Sequence, residues 1–280
     1  MEIVFNDVSV VINKNTLLEK TLLSHVTFKI GKPLIYGFLG NSNSGKSIVA
    51  DLINGIMKPT SGIVKINEFI NNGKRIKNIN KLRFDVGYVY KNSSDMFFNK
   101  IVKKELEFGM KYFKYKNNKI TLRSEQSLKI VGLGKEYLNK NISDLSLSEA
   151  KKVSIASILV FNPKIIILDE PTIGLNYIEK KELMRILRLL KEKYNKTIIL
   201  ISKNVDFLYE IIDKVFIFNL SKLVRTGDVN LLTDGEMLKN YKLEMPEIAK
   251  FIEIAKKKGV KLEDYKDIKD LIKGVYRNVY

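Results

Sequence analysis

The hydrophobic residues of this chain fall into short apolar runs that alternate with longer stretches of helical spacing. The most continuous runs cover residues 33–39, 165–168, 197–201 and 215–218. Short runs of this kind are typical of strands buried on both faces of a parallel sheet. Between two of them, from 179 to 194, apolar residues recur at helical spacing, which predicts an amphipathic helix. Strands that alternate with helices in this way predict an α/β core.

Both ends of the chain and one internal segment depart from this alternation. Apolar and polar residues alternate around residues 3–8 and 26–30, which predicts antiparallel strands in a small N-terminal β subdomain. A polar, lysine-rich segment that favours helix occupies the middle of the chain, so we expect a helical subdomain over about 91–160. The spacing of apolar residues near the C-terminus predicts a helical extension over 243–280, after a main domain over 1–242.

Composition excludes several classes of site. The chain has no cysteine, which excludes disulfide scaffolds, cysteine-ligated zinc and cysteine nucleophiles. Its single histidine, His25, excludes a metal site built from several histidines. No segment offers the ~18 consecutive apolar residues that a membrane-spanning helix needs.

The chain is strongly basic, with 49 Lys and Arg against 31 Asp and Glu and a formal net charge of +18. Such a charge is compatible with binding to nucleic acid, with an anionic lipid surface, or with solubility alone. The lysines are scattered among Asn and Ile along the whole chain. We therefore expect no nucleic-acid partner.

The segment after the first apolar run carries the most specific motif. It fits the pattern Gly-x-x-x-x-Gly-Lys-Ser between a predicted strand and a predicted helix, which is the context of a phosphate-binding loop. Backbone N–H groups of such a loop and the positive end of the helix point at nucleotide phosphates. Lys46 adds a positive charge, and the hydroxyl of Ser47 can ligate Mg²⁺. The residues predicted to hold ATP are Gly40, Asn41, Ser42, Asn43, Ser44, Gly45, Lys46, Ser47 and Ile48.

A pair of carboxylates, Asp169 and Glu170, ends the apolar run at 165–168. Carboxylates at the C-terminal end of a buried parallel strand lie where α/β sheets bind their ligands, beside the phosphate loop. We expect Asp169 to hold Mg²⁺ through water and Glu170 to accept a proton from the attacking water. The two motifs together predict a site for ATP and Mg²⁺.

Further segments, in chain order, resemble those of a known family. They are residues 52–62, 86–90, Leu145-Ser146, 168–172 and Gly174-Leu175. Together with the phosphate loop, they make about residues 1–235 similar to the ATP-binding subunits of ABC transporters. Four segments resemble the energy-coupling-factor type in particular: 54–62, Phe97-Phe98, Phe108-Gly109 and 243–251.

This resemblance implies a P-loop NTPase core with the β subdomain, helical subdomain and C-terminal extension described above. It also implies a complex on the cytoplasmic face of the cell membrane, to which this chain binds peripherally. In that complex two ATPase subunits drive a transmembrane coupling protein, which carries a separate substrate-binding membrane protein for vitamins or metal ions. Part of the surface near Phe97 and Phe98 would receive a helix of the membrane partner, although core packing is an equally good interpretation of these aromatic residues.

Some positions depart from the family pattern. In the family, each ATP lies between the phosphate loop of one subunit and the signature Leu-Ser-Gly-Gly-Gln of the other. Here the signature reads Leu-Ser-Leu-Ser-Glu over 145–149, so that Ser146 keeps its hydroxyl for a γ-phosphate while two glycines are lost. Lys91 replaces the glutamine that senses Mg²⁺, and Lys203 replaces the histidine that contacts the γ-phosphate. By their places in the family pattern, Lys91 and Ser146 join the residues expected to bind ATP. Lys203 can still stabilise phosphate charge, so it joins Glu170 as a candidate catalytic residue.

Our hypothesis is an ATPase subunit that binds ATP readily and hydrolyses it slowly, or only with a partner subunit. One alternative is a regulatory subunit that binds ATP and leaves hydrolysis to its partner. A less favoured alternative is a soluble ABC protein acting on nucleic acid or ribosomes. That class usually has two ATPase cassettes in one chain or a long coiled coil, whereas this chain has one phosphate loop and no such heptads.

Overall fold

Two β-sheets share one hydrophobic core, and helices cover the other face of the larger sheet. The computed structural model describes residues 1–92 and 96–279 of the chain. The strands are β1 (Ile3–Ile12), β2 (Lys20–Ile30), β3 (Ile35–Leu39), β4 (Ser61–Ile66), β5 (Phe69–Asn71), β6 (Val86–Val89), β7 (Ile165–Asp169), β8 (Thr197–Ser202), β9 (Lys214–Asn219) and β10 (Lys222–Asp228).

The α-helices follow the strands in the alternation that the sequence predicts. They are α1 (Lys46–Asn54), α2 (Ile79–Asp85), α3 (Val102–Tyr112), α4 (Asn117–Ile130), α5 (Leu147–Leu159), α6 (Tyr177–Glu192), α7 (Val205–Ile211), α8 (Gly235–Asn240), α9 (Glu247–Lys257) and α10 (Ile268–Val279).

The larger sheet has the strand order β10-β9-β3-β8-β7-β6. Its strands from β9 to β6 pair in parallel, and only β10 pairs antiparallel, at the edge beside β9. The smaller sheet, β2-β1-β4-β5, is antiparallel throughout. These two sheets confirm the predicted α/β core with an N-terminal β subdomain.

Strand β7 shows why the apolar runs are continuous. Its residues Ile165 and Ile167 face the core shared with the smaller sheet, while Ile166 and Leu168 face the helices. All four are buried, because successive side chains of a strand point to opposite faces. A strand covered on both sides therefore needs apolar residues at every position.

Helices α3, α4 and α5 lie between β6 and β7 in the sequence, within the range predicted for a helical subdomain. At the other end of the chain, α9 and α10 form a small hydrophobic core of their own around Ile252, Leu262 and Leu271. The division into a domain over 1–242 and an extension over 243–280 stays a prediction.

Candidate functional site

The phosphate loop joins β3 to α1 and is enclosed by both sheets. A side chain at Gly40 would overlap the carbonyl oxygen of Phe218 at the end of β9, and one at Gly45 would lie 3.0 Å from the carbonyl oxygen of Leu22 in β2. The backbone at Gly45 also has φ 98°, which disfavours other residues. Asn43 adopts φ 61°, the left-handed conformation that asparagine tolerates better than most residues. These close approaches explain the two glycines of the motif.

Lys46 is buried at the start of α1, and its ammonium group makes three hydrogen bonds inside the loop. Nζ donates to the carbonyl oxygens of Gly40 at 2.6 Å and Asn41 at 2.7 Å, and to Oγ of Ser44 at 3.0 Å. An ammonium has three N–H donors, so these contacts use all of them. Burial lowers the pKa of Lys46 to about 8, although the nearby carboxylates act against this shift.

Ser47 and Asp169 are brought together, as expected for two Mg²⁺ ligands. Oγ of Ser47 donates to Oδ2 of Asp169 at 2.7 Å, and the hydroxyl of Tyr88 approaches the same oxygen at 3.5 Å. Burial raises the pKa of Asp169 above its ordinary value, whereas Ser47 and Lys46 favour the ionised form. A hydroxyl, a carboxylate and phosphate oxygens form the oxygen-rich ligand set that Mg²⁺ prefers. The residues present therefore fit this ion.

Asp51 and Tyr88 belong to this part of the site, and sequence reasoning had not assigned them. Asp51 follows Ser47 by four residues on α1, which places both on one helix face. Burial, with the charge of Asp169 as the second cause, raises the pKa of Asp51 to about 6. Tyr88 lies on β6, next to β7, and burial followed by the charge of Asp169 raises its pKa. The spacing of four residues from Ser47 could have indicated Asp51, whereas the position of Tyr88 depends on the pairing of β6 with β7, which no local pattern specifies.

Glu170 follows β7 directly and has φ 45°, a conformation that costs energy in a glutamate. Its backbone N–H donates to the carbonyl oxygen of Ile201 at 2.8 Å, which fixes this geometry against β8. Its carboxylate is buried and accepts hydrogen bonds from Oγ of Ser202 and from the backbone N–H of Lys203, both at 3.1 Å. The candidate base is thus held by the end of β8, and Ser202 is a further residue that the sequence had not indicated.

The other predicted ligands lie around this centre. A cavity of about 190 Å³ is lined by Lys20, Thr21, Leu22, Asn43, Ser44, Gly45, Lys46, Ser47, Ile48 and Ser221. Ser42 and Lys91 are exposed, and the charge of Lys91 is among the minor influences that favour ionised Asp169. The side chain of Lys203 is exposed, and its charge contributes to the lowered pKa of Lys46, after burial as the main cause.

Ser146 stands at a different place, as the N-terminal cap of α5. Its Oγ accepts from the backbone N–H of Glu149 at 3.2 Å, and the Glu149 carboxylate accepts from the backbone N–H of Ser146 at 2.8 Å. Glu149 also accepts a hydrogen bond from the hydroxyl of Tyr137. The Tyr137 hydrogen bond, followed by that of the Ser146 backbone, lowers the pKa of Glu149 to about 2. The altered signature therefore forms a capping box that stabilises its own helix.

Comparison with known proteins identifies the family to which this geometry belongs. A family model described as ABC transporter matches residues 23–173, more than half of the chain. The chain belongs to the ATP-binding proteins of ABC transporters. Membership implies ATP binding and ATP hydrolysis coupled to transport, which confirms the sequence prediction at that level.

Relatives similar over most of the chain are energy-coupling factor transporter ATP-binding proteins. EcfA3 of Oenococcus oeni is 33% identical, over 92% of this chain and 90% of that protein. EcfA2 of Streptococcus agalactiae is 32% identical, over 94% of each chain. The predicted resemblance to this type is thus confirmed.

Solved structures with the same fold include that of cbiO1 from Clostridium perfringens, described as part of the ABC transporter complex cbiONQ. The two sequences are 27% identical, and the structural alignment covers 90% of this chain and 98% of the cbiO1 chain with a TM-score of 0.75. The bacterial ABC transporter cassette MJ0796 is 23% identical, and its alignment covers 81% of this chain and 98% of the MJ0796 chain with a TM-score of 0.73. At this identity, the likeness supports the fold alone. Within residues 1–92 and 96–279, no helix of the ABC protein is both long and apolar enough to cross a membrane.

Proposed function

We propose that this chain is the ATP-hydrolysing subunit of an energy-coupling-factor transporter that takes up vitamins or metal ions. The observation that carries the proposal is the contact of Ser47 with Asp169, which joins the phosphate loop to the carboxylate end of β7. Lys46 and the loop residues 40–48 would bind the phosphates of ATP. Ser47 and Asp169 would hold Mg²⁺, which neutralises phosphate charge when bound.

Glu170 is the proposed general base. Its carboxylate accepts hydrogen bonds from Ser202 and from the backbone of Lys203, so it is oriented from the end of β8. A carboxylate held in this way can accept the proton of a water molecule that attacks the γ-phosphate. The exposed ammonium of Lys203 would stabilise charge on that phosphate.

A second ATPase subunit would complete the site. Ser146 caps α5, and its described side-chain partner is the backbone of Glu149 on the same helix. Its hydroxyl is exposed and would reach the ATP of a partner subunit, in a heterodimer or a homodimer. Leu147, which replaces a signature glycine, lies against Gly174 of the loop before α6. A side chain there restricts close approach to a phosphate, which supports slow hydrolysis by this arrangement.

The helical subdomain offers a surface for the transmembrane coupling protein. Phe98 is 81% exposed, and its ring stacks on that of Phe108 with centroids 5.8 Å apart. The buried carboxylate of Glu105 accepts from the backbone N–H groups of Phe98 at 3.0 Å and Asn99 at 2.8 Å, which fixes the segment that carries the ring. Phe97 instead packs partly buried against the main core. We therefore assign docking to Phe98 and core packing to Phe97, and place the chain peripherally on the cytoplasmic face of the cell membrane.

The test is purification in detergent after co-expression with any transmembrane protein and second ATPase that the neighbouring genes encode. Co-purification supports the transporter assignment, whereas isolation alone with salt-sensitive nucleic-acid binding would favour a soluble ABC protein. In the purified complex, Lys203→His should raise ATP turnover, and adding Glu170→Gln should remove that gain. If neither substitution changes turnover, the site of this subunit does not hydrolyse ATP, and the chain is the ATP-binding regulatory subunit. A deficit of ~3 kcal/mol in transition-state stabilisation slows the reaction over a hundredfold while leaving ATP bound.

A further inference from the structure

Asn41 makes contacts in two directions from the phosphate loop. Its carbonyl oxygen accepts from Nζ of Lys46 at 2.7 Å. Its side-chain amide donates to the carbonyl oxygen of Tyr241 at 3.1 Å and approaches that of Lys242 at 3.5 Å. Residues 241 and 242 immediately precede the C-terminal extension. One residue therefore belongs to the loop and also contacts the start of the extension.

Phosphate binding has to change the hydrogen bonds of this residue or of its neighbours. All three N–H donors of Lys46 are taken by Gly40, Asn41 and Ser44. A phosphate oxygen that pairs with Lys46 must replace at least one of these acceptors. Two of the three acceptors are backbone carbonyls at the first two positions of the loop. Replacing either of them with a phosphate oxygen therefore removes a hydrogen bond that holds the backbone at Gly40 and Asn41.

Two further contacts tie the extension to elements that follow the site. The backbone N–H of Glu247, at the start of α9, donates to Oδ1 of Asp206 at 2.7 Å. Asp206 is in the first turn of α7, three residues after Lys203. Nζ of Lys181 on α6 bridges Glu210 of α7 and Asp267 before α10, at 2.5 Å to each. The extension is thus bound to both helices that lead away from the catalytic segments.

We propose that Asn41 is a positioning residue that couples phosphate binding to the placement of residues 241–257. The proposal rests on the ATP site described above and adds to it a link between that site and the C-terminal extension. ATP draws Lys46 from the loop carbonyls, Asn41 shifts, and its amide moves the 241–242 backbone against the anchor at Asp206. Because coupling free energy is reciprocal, the placement of the extension also sets the affinity for ATP.

The first experiment measures hydrogen exchange of residues 241–257 in the full chain, with and without Mg²⁺ and ATP. Glu170→Gln serves as the parent, so that ATP stays intact. We expect ATP to change the exchange rates of these amides about fivefold in the parent and in Asn118→Ala, a matched control at an exposed asparagine of α4 outside the ATP site. In Asn41→Ala, compared at an ATP concentration that saturates each protein, the ATP-dependent change should disappear. An equal change in Asn41→Ala would overturn the coupling.

The second experiment tests the link from the other end, and it decides the matter if Asn41→Ala cannot bind ATP. Asp206→Ala removes the acceptor for Glu247, whereas Asp206→Asn keeps an oxygen in the same place and loses the same charge. We expect the ATP dissociation constant to change about fivefold in Asp206→Ala relative to Asp206→Asn. Equal constants would overturn the coupling. If the parent itself does not bind ATP, the proposed ATP site is refuted. Direct titration of the parent with ATP therefore distinguishes this outcome from a failure of the coupling alone.

Discussion

The hydroxyl of Ser47 donates a 2.7 Å hydrogen bond to Oδ2 of Asp169, so the first helix after the phosphate loop contacts the end of strand β7. The two residues are 122 positions apart in the chain. Their contact joins the two halves of the proposed nucleotide site. It also gives a first prediction.

Ser47→Ala should raise the Mg²⁺ concentration needed for half-maximal ATPase activity by about tenfold or more, because one oxygen ligand is lost. Binding of ATP without Mg²⁺ should stay within about threefold, since the loop backbone and Lys46 are unchanged. Titration of activity with Mg²⁺ measures this effect. Ser47→Thr keeps the hydroxyl and is the control, and an equal Mg²⁺ requirement in both variants would contradict the assignment.

Ser202→Ala should lower kcat by about threefold to tenfold and leave KM for ATP unchanged. The reason is that Ser202 contacts the carboxylate of Glu170, at 3.1 Å, and its other described contact is with the backbone N–H of Asn204. Steady-state kinetics on the purified complex separate the two constants. A raised KM with unchanged kcat would show that Ser202 acts on ATP binding instead.

Glu149 should make folding stability depend on pH in the acid range. Its pKa is lowered to about 2 in the folded chain, so the unfolded chain binds its proton first as the pH falls. The stabilisation is complete above the ordinary value of 4.5 and is lost as the pH drops from there towards 2. Urea unfolding from pH 6 to pH 3.5 should show a smaller pH dependence for Glu149→Gln, which keeps an amide oxygen for the cap. Identical slopes for both proteins would exclude this role.

Lys181→Met should destabilise the chain by about 1–2 kcal/mol, because Glu210 and Asp267 lose their shared partner while only partly exposed. The matched control is Lys257→Met, which breaks an exposed pair with Glu253 on one helix and should cost about 0.5 kcal/mol or less. Chemical denaturation of both variants measures the difference. Equal losses would show that the partly buried pairs are no stronger than the surface pair.

The sequence predicted the core of this fold because its strands are buried on both faces. In β8, all residues from Thr197 to Ser202 are buried, and this produces an apolar run that no surface strand would show. The phosphate loop was equally clear, since close backbone approaches at Gly40 and Gly45 demand glycine at fixed spacing.

Contacts between distant segments were beyond such reasoning. Ser202 and Glu170 meet because β7 and β8 are neighbours in the sheet, which no local pattern specifies. The bond from Asn41 to Tyr241 spans 200 residues and depends on where the chain returns after β10. The contact of Glu149 with Ser146, by contrast, is local, and the spacing Ser-x-x-Glu could have indicated this capping box.

The enclosure of the phosphate loop by both sheets has a consequence for folding. Gly40 lies against the last residues of β9, and Gly45 lies against β2, so the loop takes its shape only where the two sheets have docked. The backbone bond from Ser24 to Ser221 closes the same junction at 2.8 Å. A chain in which each sheet has formed but the sheets are apart would therefore lack affinity for nucleotide. During refolding, the time at which ATP binding recovers therefore reports when the two sheets dock.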